Sequence, residues 1–307
     1  MSDPRQGDKV MPMAEAVRRF VRDGQLVVIE GFTHLISFAA AHEIIRQGRR
    51  DLVLCRLTPD LVYDQMIAAG CARKVVFSWA GNPGAGPLYG FRRAVERAIP
   101  RAIEIEEYSH YGMVARFAAG AARLPFFPLR DYQGSDLPAV NPEIRSVTCP
   151  FTGERLAAVP AIHPDVAIVH VQRADQLGNA HVWGLMGVQK EAAFAARSVV
   201  VVAEEIVAEE VIRADPNRTL IPGLVVDAVV EEPFGCHPSY AQGYYDRDNA
   251  FYVQWRDISK DAASLNAWLE EWVHGVASRA EYVTRMGARL ARLRARQQFC
   301  GPVNYGF

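Results

Sequence analysis

The chain has 307 residues, half of them hydrophobic, and its 34 basic and 35 acidic side chains nearly cancel. That length buries a substantial core, and the balanced charge excludes a broad basic surface for nucleic acid. No apolar window is long enough to span a membrane, the N-terminus lacks a basic-then-apolar leader, and five scattered cysteines form no C-x-x-C pair.

Cys55, Cys71, Cys149, Cys236 and Cys300 therefore read as free thiols of a cytoplasmic protein, with neither a disulfide framework nor a structural zinc expected. Along the chain, short β-branched runs alternate with helix-like stretches. "QLVVIEG" leads into "SFAAAHEIIRQG", "DLVLCRLTP" into "DLVYDQMIAAG", and "RKVVFSWAGNPG" into "FRRAVERAI". "AIEIEEY" then leads into "GMVARFAAGAARL", and later come "DVAIVHVQ", "SVVVVAEEIV" and "VVDAVVEEP". Continuous apolar strands alternating with helices predict an α/β fold, an open, mostly parallel sheet with helices on both faces. Residues 127–164, rich in proline and turn formers, read as an irregular or β-rich insertion with a hairpin around Thr152-Gly153. From "NAFYVQW" to "RARQQ" the pattern is helical, so residues 1–307 form a single domain with an insertion. The arginine run "RMGARLARLRARQQ" fits a solvated helix face, or a contact to a neighbouring polypeptide or an anion.

Ligands of such a sheet bind at the carboxyl ends of its strands. Three strand ends carry suitable residues. In "IEGFTHL", Gly31 permits close backbone approach, and the amides of Phe32 and Thr33 can face a developing oxyanion; a plain glycine turn is the other reading. "SWAGNPGAGPLYG" has neither phosphate-loop nor dinucleotide spacing, so Gly81 and Asn82 belong to a pocket wall or a flexible connection. "EIEEYSHYG" ends a strand with Glu104 and Glu106 on one face and Glu107 on the other. A carboxylate buried there would gain a raised pKa and serve as a base, whereas a solvated acidic loop would not. No H-x-x-x-H and no G-x-S-x-G occurs. His237 lies in a glycine- and tyrosine-rich loop, as a pocket residue or a turn, and Asp175, Gly178 and Asn179 read as a self-bonded turn.

The stretches "EGFTHLISFAAAHEIIRQGRRDL", "TPDLVYDQMIAAGCARKVVFSWAGNPGAG", "AGAARLPF", "NPEIRSVTCPFTGERLAAVPAIHPDVAIVH" and "HPSYAQGYYDRDNAFY" resemble, in order and over nearly the whole chain, the A (α) subunits of family I CoA-transferases. The 3-oxoadipate and glutaconate types are the most similar. The resemblance implies a heteromeric enzyme, a heterotetramer or larger. Its B (β) subunit carries a glutamate that attacks an acyl-CoA thioester, and CoA then passes to a short carboxylate. The A subunit supplies pocket wall from Gly31, Phe32, Thr33, Gly81 and Asn82, and from the Glu107–Gly112 turn with Tyr108, Tyr111 and Gly112. Coenzyme A is then a substrate, no cofactor is bound permanently, and no metal is needed. Two departures stand out: Glu30-Gly31 replaces a glycine pair, and "EEYSHYG" replaces a P-Q-G turn. A steroid-degrading relative of the same fold is a ring-opening CoA-thioester hydrolase, whose glutamate base falls on Glu107 here. A third reading is a non-catalytic ligand sensor, but no basic helix-turn-helix stretch precedes the first strand.

Overall fold

The computed structural model describes residues 7–295; Cys300 and the end of the arginine run lie outside the described residues. Seven parallel strands form the centre of the sheet: β1 (Leu26–Glu30), β2 (Leu52–Cys55), β3 (Ala72–Phe77), β4 (Glu104–Glu107), β8 (Val166–Ala174), β10 (Ser198–Ile206) and β12 (Ala228–Glu231). Their order in space is β12-β10-β8-β1-β2-β3-β4, parallel at every step. The chain thus builds one half outward from β1, then returns to β1's other side with β8 and builds the second half. The reversal falls between β1 and β8, the topological position at which open α/β sheets bind their ligands.

Apolar residues alternate between two faces, as the pleat requires. Val27 and Ile29 of β1 join a core with α2 (Phe38–Arg46) and α3 (Leu61–Ala68), and Val28 joins the opposite one with α5 (His110–Ala121) and α7 (Gln189–Ala195). The first core is closed by α9 (Asn249–Ser259) and α10 (Ala262–Leu269), where Phe251, Trp255 and Trp268 pack ring against ring. Local chemistry starts the helices that follow β2 and β4. Asp60 caps α3 by accepting the Val62 N–H, and Ser109 caps α5 by accepting that of Gly112.

Residues 126–160 form a separate three-stranded antiparallel sheet: β5 (Phe126–Leu129), β6 (Arg145–Thr148) and β7 (Arg155–Pro160), in the order β5-β7-β6. The β6–β7 hairpin turns where expected, with Gly153 at a positive φ of 73°. Two short antiparallel strands complete the main sheet, β9 (Ala180–His181) on the end of β8 and β11 (Thr219–Ile221) on β9. Because β10 already occupies one side of β8 up to Ala174, β9 lies on the β1 side, past the point where β1 stops. The segment after β9 is thereby carried over the carboxyl end of β1.

The C-terminal arginines mostly bind back to the chain: Arg289 pairs with Asp248, Arg294 covers the Phe234 ring, and Arg285 bonds Glu281 and the Gly275 carbonyl. Asp175 accepts the N–H groups of Leu177 and Asn179, confirming the self-bonded turn. His237 is buried between Tyr282 and Asp248 and is structural. Among the described residues, no helix is long and apolar enough to cross a membrane.

Candidate active site

The loops at the carboxyl ends of β1 to β4 are tied into a closed ring. Arg56, after β2, donates to the carbonyl of Gly31, after β1. Leu57 accepts from the backbone N–H and the hydroxyl of Ser78, after β3. Ser78 Oγ lies 2.9 Å from His110 Nδ1 at the start of α5. His110 then closes the ring against Phe32, edge to face at 5.7 Å between centroids. A fifth segment, residues 183–188, caps the β1 side. The Leu185 carbonyl lies 2.8 Å from His34 Nδ1, while His34 Nε2 accepts the Gln242 N–H. That second bond fixes the tautomer, so Nδ1 carries the proton and donates to Leu185. Burial lowers the His34 pKa to about 4, so the clasp is a neutral imidazole at physiological pH.

The same reasoning orients His110. The single hydroxyl proton of Ser78 goes to the Leu57 carbonyl at 2.6 Å, so Ser78 must accept from His110 Nδ1–H. His110 is left with Nε2 free at an exposed position, and Ser78 cannot be a nucleophile activated by it. Above Gly31, the N–H groups of Phe32 and Thr33 donate to no acceptor among the described residues. The Gly31 carbonyl is gripped by Arg56, so the planar trans peptide aims the Phe32 N–H the opposite way. An aligned, unspent donor at a strand end, beside the N-terminus of a twelve-residue helix, is suited to an oxyanion. Exposed Trp79, Tyr111, Leu185 and Met186 give this edge of the sheet an apolar rim.

Several residues expected on the ligand wall turn out to build its frame. Tyr108 is fully buried: it shares the pleat face of Glu106, donates to that carboxylate at 2.7 Å and stacks under Arg116. The Gly112 N–H is spent on Ser109 Oγ, and its missing side chain makes room for Tyr132. Asn82 is buried, donating to the carbonyls of Gly86 and Tyr252, and Gly81 donates to Pro59 while lying flat on the Trp79 ring. Glu107 is exposed rather than buried at the strand end, and its carbonyl accepts from Asn141. Glu106 is structural, paired with Lys74 and Arg116. Gly31, Phe32, Thr33 and Tyr111 remain at the edge, joined by His110 and Ser78, which carried no motif of their own.

The buried carboxylate of the site is Glu30. Its side chain is wholly enclosed, and neither oxygen has a hydrogen-bond partner among the described residues. Desolvation raises its pKa to about 7; the Arg56 charge pulls the other way, as do the nearby N–H groups of Gly31, Val188 and Leu57, none of which closes a hydrogen bond. The only sequence signal was that Glu30 replaces a glycine. A second buried cluster, His170, Glu204 and Cys236, has ligand types for a metal. However, His170, Tyr245 and the Phe234 N–H already saturate Glu204, and burial pushes the Cys236 thiol up, so the cluster works as a hydrogen-bonded knot.

The coenzyme A transferase family model matches residues 10–232. The chain belongs to the coenzyme A transferase family. It is 52% identical over 278 residues to the A subunit of 3-oxoadipate CoA-transferase from Pseudomonas knackmussii, covering 91% of this chain and 98% of that one. It is 33% identical to the A subunit of glutaconate CoA-transferase from Acidaminococcus fermentans, over 93% of this chain and 94% of that one. The crystal structure of that glutaconate CoA-transferase superposes with a TM-score of 0.89, covering 94% and 96% of the two chains. The cholesterol ring-cleaving hydrolase IpdA subunit of Rhodococcus jostii is more distant, at 31% identity over 85% of this chain and 89% of that one. The chain is thus a CoA-transferase of the A-subunit type, and the expected sheet is the fold of its glutaconate relative.

Proposed function

We propose that this chain is the A half of a two-chain enzyme that moves CoA from an acyl-CoA such as succinyl-CoA to a short 3-oxo or dicarboxylic acid such as 3-oxoadipate. What carries the reading is the 52% identity to the A subunit of a 3-oxoadipate CoA-transferase, nearly end to end in both chains. The chemistry runs through a glutamate of the B subunit. It attacks the thioester carbonyl to give an acyl–glutamyl anhydride and CoA thiolate. The thiolate returns to the glutamyl carbonyl and releases the first carboxylate. The acceptor carboxylate then attacks the glutamyl-CoA thioester, giving a second anhydride and CoA thiolate, and the thiolate attacks the acceptor-derived carbonyl to form the new acyl-CoA and free the glutamate. The edge described above suits the complementary half of such a site. The Phe32 N–H meets the developing oxyanion, the rim of Trp79, Tyr111, Leu185 and Met186 excludes water, and no side chain there is an activated nucleophile. CoA is a substrate in this scheme, and nothing is held permanently.

Purified alone, the chain exchanges no CoA; robust exchange by the lone chain overturns the two-chain reading. With its partner, incubation with acyl-CoA followed by borohydride reduces a glutamate on the partner, seen by peptide mass. Release of free acid without transfer to added carboxylate means the ring-opening hydrolase instead. Glu107→Gln separates the two in kcat. Loss of a general base costs about 10²–10⁴-fold, whereas in the transferase the exposed side chain costs less than about threefold.

A further inference from the structure

Three buried polar groups meet at the carboxyl end of β1 without joining. Both carboxyl oxygens of Glu30 lack donors, while Arg56 Nε and Gln189 Nε2 lack acceptors. Gly187 sits between Glu30 and Gln189. A side chain there would stand 2.8 Å from Glu30 Oε1, 3.2 Å from Phe32 Cβ and 3.6 Å from Gln189 Oε1. Folded chains rarely leave such groups unpaired, and here an acceptor and two donors at one end of the sheet lack partners among the described residues. The guanidinium that could serve Glu30 is occupied, holding Asp60 at 3.0 Å and the Gly31 carbonyl.

We infer that Glu30 is a positioning residue for the transferase reaction: its neutral form leaves Arg56 on the Gly31 carbonyl and the Phe32 N–H aimed at the substrate, and its ionised form draws Arg56 away and frees that peptide. The inference rests on the CoA-transfer reading. Glu30 is enclosed, so it acts through Arg56 and the turn that follows β1. On ionisation the proton goes to solvent, and besides the nearby N–H groups of Gly31, Val188 and Leu57 the buried charge has two unused side-chain donors to recruit, Arg56 Nε and Gln189 Nε2. Recruiting Arg56 weakens its hold on Gly31, giving the turn two discrete arrangements. Among the described residues, Arg56 is the cation that faces the group. Cys55 at the end of β2 and Tyr63 of α3 also face it, and burial pushes both well above their ordinary range, so neither changes charge near neutrality. From α7 the neighbour is the uncharged Gln189. Burial brings the Glu30 pKa to about 7, which places the switch in a physiological range.

The test is the pH dependence of CoA exchange by the two-chain complex. In the wild type kcat falls about tenfold or more from pH 6 to pH 8.5, with KM for acyl-CoA little changed. In Glu30→Gln, which cannot ionise, that limb flattens and the ratio between the two pH values comes within about twofold of one. An identical limb in the variant, or a wild-type profile without one, overturns the proposal. A second readout needs no activity. In the isolated chain the amide resonances of Phe32 and Thr33 move together with a midpoint near 7, and in Glu30→Gln they do not. If the amides titrate but no CoA is exchanged by the complex, the coupling stands and the transferase reading falls. If they stay still in the wild type, the coupling itself is wrong.

Discussion

Replacing Arg56 by methionine destabilises the chain by about 3–5 kcal/mol, the usual cost of removing one member of a fully buried ion pair. The side chains of Arg56 and Asp60 are 0% and 2% exposed, and their nitrogen and oxygen lie 3.0 Å apart. Methionine fills a similar volume, so the loss is electrostatic. Asp60 keeps the Val62 N–H that caps α3 but no cation, and the Gly31 carbonyl is left without a donor. Urea unfolding at pH 7 measures the effect as a lowered midpoint. The double variant Arg56→Met/Asp60→Asn should recover part of the loss, because no buried charge is then stranded. A loss below about 1 kcal/mol in the single variant would mean that water reaches the pair and that the ring of loops is looser than its hydrogen bonds imply.

The second large effect is a change in how stability depends on pH. The pKa of Glu30 is raised from 4.5 to about 7 in the folded chain. The native state therefore holds this proton more tightly than the unfolded state, and stability is fully present below about 4.5 and lost as pH rises to about 7. That span corresponds to about 3 kcal/mol. Glu30→Gln removes the dependence, so its stability relative to wild type should rise by about this amount between pH 4.5 and pH 8. Glu232, raised to about 7, Asp64, raised to about 6, and His34, lowered to about 4, titrate in both chains and cancel in the difference. Urea midpoints measured across that range for both proteins give the comparison, and parallel curves would show that Glu30 is already paired in the native state.

Both effects arise from residues for which the chain offers little local signal. The strands, by contrast, could be read directly. "LVVIE", "LVLC" and "VAIVHVQ" are continuous apolar runs because both faces of a parallel sheet are covered, and the helices between them begin at Asp60 and Ser109, which cap by bonding their own neighbours. The β6–β7 hairpin followed from Gly153, and the Asp175 turn from its own side-chain bonds. Tyr108 was misplaced although the same alternation that sorted Glu106 from Glu107 puts it beside Glu106, facing α5.

By itself, then, the sequence determined the strands and helices, the Gly153 and Asp175 turns, and the family's pattern of strand ends, because each depends on residues a few positions apart. Only the tertiary structure decided which of those strand ends forms the site. Strand order reverses between β1 and β8, and β9 continues past the end of β1, so Glu30 comes to lie against Gly187 and Gln189 while Phe32 meets His110. A carboxylate is solvated or orphaned according to what long-range packing places over it. No periodicity marks that, and for this reason Glu107 is exposed and Glu30 is enclosed.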